Sequence, residues 1–294
     1  MIISLAFNAA LYKELKGDIL TEAANVPKLK QIIALVSSAI YVVAATYFAG
    51  LASTNIAYGL AFKGIAIPVR EPLNIGIVLA FYWLFLKYQR NLVNNPMPIG
   101  GLKAVFFGVG TTIILLSATW FGLWQIRALT NFTPSPIDQQ AAIGVIFGFV
   151  FVFIHGLSEQ WLLQKIGQQL FAQFYGKWVG ILSAGAMFAI LQALQGYATP
   201  IYIVNSVVFG VLMAIMAAKF GILAAAAAHG FWTWAEVIYL PAAFDFHLSA
   251  GLFSGQRQDS YSSLIFTLVA AALCLILGFA KNFNYKTKHD EIKH

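Results

Sequence analysis

Four ionisable side chains sit inside stretches that are otherwise apolar: His155, Glu159, His229 and Glu236. Such groups are costly in hydrocarbon, so each is a candidate for chemistry. His155 and Glu159 are four residues apart, about 40° from each other on one helix face. His229, Thr233 and Glu236 follow at steps of four and seven, again on one face. A third apolar stretch offers Gln192. A carboxylate beside an imidazole is acid–base equipment. Glu159 would take a proton from water, and amide or hydroxyl donors would stabilise a developing oxyanion. Plainer roles compete. His155 offsets the burial of Glu159, Glu236 reaches the interface, and Gln192 holds two helices together at about 0.6–2 kcal/mol. The ligand types would also suit zinc, but no close motif such as H-E-x-x-H fixes a geometry. No metal site and no cofactor is therefore assigned.

The elements that must position these groups are membrane helices. Of 294 residues, 60% are hydrophobic and 10% charged, against about 45–50% and about 25% in soluble domains. Apolar residues fall in blocks of about 17–24, the length a helix needs to cross the bilayer. Barrel strands would alternate over roughly ten residues instead. The expected fold is all-α, a polytopic bundle of about eight transmembrane helices. They are placed at 32–54, 72–88, 104–124, 140–159, 178–194, 201–217, 221–239 and 263–280. Residues 197–200 read as a tight turn. The run Ala224 to Ala228 lets helices approach closely.

With the N-terminus inside, 14 of the 18 Lys and Arg residues fall on the inner side. This obeys the positive-inside rule and places both termini in the cytoplasm. The reading divides the chain into an amphipathic segment at 1–31, about three N-terminal spans at 32–139, a core at 140–280 and a basic tail at 281–294. The net charge of +7 belongs to loops near anionic lipid, because no basic stripe is interleaved with aromatics. Membrane lipid, not nucleic acid, is the expected partner. Cys274 lies alone within an apolar run, so no disulfide forms, and no signal-peptide pattern opens the chain.

Residues 157–234 resemble the CPBP family, which holds the CAAX prenyl proteases and the bacteriocin-processing Abi proteins. That family carries E-E-x-x-x-R, F-x-x-x-H and H-x-x-x-N on successive membrane helices. The corresponding segments here run Glu159 to Gln164, Phe188 to Gln192 and His229 to Thr233. Tyr175-Gly176-Lys177-Trp178 and Lys219-Phe220-Gly221-Ile222 lie between them in the same order. The resemblance implies a CPBP-like core in the C-terminal half. The first glutamate and the motif-two histidine would activate a water there. The later histidine and asparagine would hold the oxyanion. Glu159 and His229 keep the family's residues. Gln160, Gln164, Gln192 and Thr233 replace a glutamate, an arginine, a histidine and an asparagine.

Glutamine orients a water but exchanges no proton at neutral pH. The leading expectation is therefore a pseudoprotease, an accessory or assembly subunit that binds another membrane protein or a lipid-linked peptide. The main alternative is a working intramembrane endopeptidase that uses Glu159 and His229, cleaving prenylated tails or leader peptides. In that case His155 would stand in for the missing histidine from one turn away. A metal-binding protein and a carrier are the remaining alternatives. A carrier should show inverted repeats or broken helices, and neither stands out in the sequence.

Overall fold

A computed structural model describes residues 28–62, 70–89, 97–137, 139–197, 199–249, 251 and 260–280. The tail 281–294 and most of the 1–31 segment lie outside the described residues. Helix α1 spans Lys28–Phe62, α2 Arg70–Gln89 and α3 Leu102–Gln125. Helix α4 (Gln139–Leu162) continues through a π-helical segment, Leu163–Gln168, into α5 (Gln169–Tyr175). Helices α6 (Lys177–Leu194) and α7 (Pro200–Phe220) follow. Helix α8 (Ile222–Thr233) runs through a second π segment, Trp234–Tyr239, into α9 (Leu240–Ala243). A short 3₁₀ turn, Ser260–Ser262, precedes α10 (Leu264–Phe279).

A helix stands at each of the eight expected places, so the chain is a helical membrane bundle. Five stretches are long and apolar enough to cross a membrane: Gln31–Ala57, Leu102–Gln125, Ala141–Tyr175, Lys177–Leu194 and Pro200–Phe220. Helix α10 is apolar but only 16 residues long. The figure of eight thus describes helical rods, and length and composition support five crossings among the described residues.

Two features were not expected. The fourth rod does not end near residue 159 but runs to Tyr175. The fold is also not purely helical. Strands β1 (Leu129–Pro134) and β2 (Phe244–Leu248) pair antiparallel, with an irregularity between Thr130 and Thr133. Pairing satisfies backbone groups that an extended chain beside lipid would leave bare.

Helix α8 is the centre of the bundle. Its alanine run is fully buried, and it packs against α3, α4 and α7. Small residues make the approach close. A methyl on Gly108 of α3 would lie 2.3 Å from the carbonyl oxygen of Ala224. On the other flank, a methyl on Gly156 of α4 would lie 2.7 Å from that of Ala226. Gly148 packs on Ile238, while Gly144 faces open space. Gly176 and Gly221 join consecutive helices at φ of 88° and 99°, backbone conformations open to glycine and strained for other residues. Large apolar side chains remain on the outside, Phe106, Phe121, Trp124 and Phe279 among them, as a lipid-facing surface requires.

Candidate functional site

The α4–α8 crossing sets the site. Backbones this close bring Glu159 of α4 within reach of His229 of α8: Oε2 lies 3.7 Å from Nε2. His155, one turn earlier on α4, places Nε2 3.5 Å from Glu159 Oε1. The spacing read from the sequence therefore holds in space, and the carboxylate has an imidazole on either side. The two rings are 6.0 Å apart.

Three of the substituted positions have defined partners. Gln160 places its amide nitrogen 3.1 Å from His229 Nδ1. Gln164 donates to Gln160 Oε1 at 2.8 Å. With Nδ1 accepting from that amide, a neutral His229 carries its proton on Nε2, facing Glu159. The hydroxyl of Thr233 donates to the carbonyl oxygen of His229 at 3.1 Å, so its proton is spent on its own helix. Gln192 is buried and makes no side-chain hydrogen bond among the described residues.

Beside these groups lies a cavity of about 250 Å³. His155, Gln192, Gln195, His229, Thr233 and Glu236 supply its polar wall, and Tyr202, Phe209 and Tyr261 face it with rings. Glu159 is set back from that wall: it is 2% exposed, and Gln195 donates to its Oε1 at 3.2 Å. Glu236 does not simply reach the interface. It accepts from the Trp120 indole at 2.7 Å and from the Ser260 hydroxyl at 2.6 Å. Across Trp120 lies an apolar groove of about 660 Å³, lined also by Phe121, Trp124 and Trp234.

Sequence reasoning missed two residues. Gln195 follows Gln192 by three positions on the same helix face, a spacing that offered a signal. Glu71 comes from α2, and its Oε2 stands 3.2 Å from His155 Nδ1. It precedes Pro72 at a span edge, where a carboxylate reads as ordinary helix-start chemistry. Arg70 pairs with it at 3.4 Å. Nearby, Asn74 donates to Ser158 at 2.8 Å and ties α2 to α4. No group of three or more His, Cys, Asp or Glu residues could hold a metal ion among the described residues.

Comparison with known proteins agrees with the resemblance. No curated protein and no solved structure matches the chain. One family model does, the Rce1-like model described as type II CAAX prenyl endopeptidase, over residues 140–235. That segment is less than half of the chain, yet it carries Glu159, Gln160, Gln164, Gln192, His229 and Thr233. The chain is therefore a helical membrane protein whose site-bearing segment is similar to the Rce1-like CAAX prenyl endopeptidases.

Proposed function

We propose that this CAAX-protease-like protein binds without cleaving. A lipid-linked peptide or a segment of another membrane protein occupies the cavity and stays intact. The chain then serves as a binding, assembly or accessory subunit. The observation that carries this reading is the placement of Glu159. The retained general base lies behind the cavity wall, capped by Gln195 and flanked by two imidazoles. Hydrolysis needs that carboxylate to touch a water which also touches the substrate. The exchanged residues add to this. Gln192 carries no titratable group, a loss worth about 10²–10⁴ in rate for an acid–base partner. Thr233 gives its proton to the backbone, and a lost oxyanion donor costs about 10²–10³.

One observation favours the alternative of a working endopeptidase. His155 both lines the cavity and lies 3.5 Å from Glu159, so it could act as the missing histidine from the same helix.

Quantitative membrane proteomics on a deletion strain separates the two. The strain is complemented at matched expression with wild type or with the Glu159→Gln, His229→Gln double variant, which removes the acid–base groups but keeps hydrogen-bonding amides at the junction. The binding reading expects both to restore the same membrane proteome, with a partner retained on wild type in mild detergent. If uncleaved precursors accumulate with the double variant alone, the chain is a protease and the binding reading fails.

A further inference from the structure

We infer that Glu71, His155 and Glu159 form a proton-binding clamp, with the extra proton held on His155 between two carboxylates. The inference stands whether or not the chain hydrolyses peptides, because it concerns charge inside the bundle.

The geometry points there from three sides. Each ring nitrogen faces a different carboxylate: Nδ1 lies 3.2 Å from Glu71 Oε2, and Nε2 lies 3.5 Å from Glu159 Oε1. A neutral imidazole donates at one nitrogen only, whereas an imidazolium donates at both. Then, His155 Nδ1 and Glu71 Oε2, the pair at 3.2 Å, are both buried without a hydrogen-bond partner. Orphans of this kind are costly to bury, and more so when charged. A proton on the ring makes Nδ1 a donor to Glu71 Oε2 and sets an opposite charge beside that carboxylate.

The third side is charge balance. The groups facing His155 are Glu71 and Arg70 from α2, Glu159 from its own helix and His229 from α8. Arg70 offsets Glu71, and a protonated His155 offsets Glu159. Without that proton the cluster carries an unmatched buried negative charge, which a low-dielectric interior tolerates poorly.

In this arrangement Glu71 is a positioning residue: it acts on Glu159 through the ring. The clamp also defines a single transfer. The Nε2–H bond breaks, an O–H bond forms on Glu159 Oε1, and a neutral ring protonated at Nδ1 remains beside Glu71. No other reactant is required.

Nitrogen-15 NMR of histidine-labelled protein in lipid nanodiscs reads this directly near neutral pH. His155 is assigned by the signals lost in His155→Asn. Wild type is expected to show two protonated ring nitrogens on His155. Glu71→Gln should convert them to one protonated and one bare nitrogen, and Glu71→Asp should restore the wild-type pair. A neutral His155 in wild type overturns the inference, as does an imidazolium unchanged by Glu71→Gln. If Glu71→Gln does not fold, infrared spectroscopy of His155→Asn decides. Loss of the imidazolium should bring up the absorption of a protonated carboxyl, absent again when Glu159→Gln is added. Its failure to appear refutes the clamp.

Discussion

Gly156→Ala tests whether the α4–α8 contact sets the site. The new methyl would lie 2.7 Å from the Ala226 carbonyl oxygen, 2.8 Å from the Gly230 nitrogen and 3.2 Å from the Gly230 Cα. Ordinary contact begins at 3.4 Å, so the helices must separate by about 0.7 Å at that point. All three blocking atoms are backbone, so no side chain can swing aside. The same separation stretches the 3.1 Å contact between Gln160 and His229 to about 3.8 Å, outside hydrogen-bond range. Overpacking costs about 1–3 kcal/mol and the lost hydrogen bond about 0.5–1.5 kcal/mol. The better helix propensity of alanine returns about 0.5–1 kcal/mol. The net loss should be about 0.5–4 kcal/mol. Gly144→Ala on the same helix is the control, because nothing lies within 4 Å of its new methyl. It should be neutral or slightly stabilising. The assay is unfolding in mixed SDS and dodecylmaltoside micelles, followed by tryptophan fluorescence. Equal stability of the two variants, within about 0.5 kcal/mol, would show that the backbones are not in limiting contact and refute the reasoning.

Three further variants probe the same packing. Gln160→Glu should destabilise by about 3 kcal/mol or more, because it adds an unpaired buried carboxylate beside Glu159. The Gln160→Glu, Gln164→Arg pair should recover most of that, and a coupling below about 0.5 kcal/mol in the same unfolding assay would contradict the amide pair's place as a neutral substitute for an ion pair. Asn205→Leu should cost about 2 kcal/mol or more. Its amide donates to the carbonyl oxygens of Tyr261 and Ser263 at 2.5 and 3.1 Å, and its oxygen accepts from Thr267. Those bonds dock α10 on α7, so protease cleavage between α9 and α10 should quicken; unchanged cleavage and stability would count against this docking role.

Helix positions were legible because lipid-length apolar runs have few other uses. The expected 178–194 is found as Lys177–Leu194, and 201–217 as Pro200–Phe220. The error at the fourth rod is instructive. Gln160, Gln164, Lys165, Gln168 and Gln169 read as the end of a span, yet all are buried. They face the protein instead of water. Lys165 donates to the Met97 carbonyl oxygen, Gln168 to that of Ala214, and Gln169 accepts from the Met97 N–H. Hydropathy counts such residues as an exit because it cannot tell a protein interior from solvent. The β1–β2 pair joins segments more than 100 residues apart, and no local pattern announces a pairing of that range. At the site, the His155–Glu159 contact followed from helical spacing. The meeting of Glu159 with His229 came from the family resemblance. The Glu71 contact crosses between helices and followed from neither.

The missed residue changes what the substitutions mean. Along the motif, Gln160, Gln164 and Gln192 stand where the resemblance implies a glutamate, an arginine and a histidine. In space, Gln160 and Gln164 are joined at 2.8 Å without ions, while Arg70, Glu71 and His155 cluster on the other side of Glu159. Glu159 accepts one hydrogen bond, from Gln195 at 3.2 Å, and has the rings of His155 and His229 beside it at 3.5 and 3.7 Å. A general base must release its contacts to take a water's proton, and each added partner makes that release costlier. On the proposed binding function, Glu159 serves as the anchor of the α2–α4–α8 junction. An anchor and a catalyst respond differently to the same change: Glu159→Gln keeps most of an anchor's hydrogen bonds and removes all of a base's function.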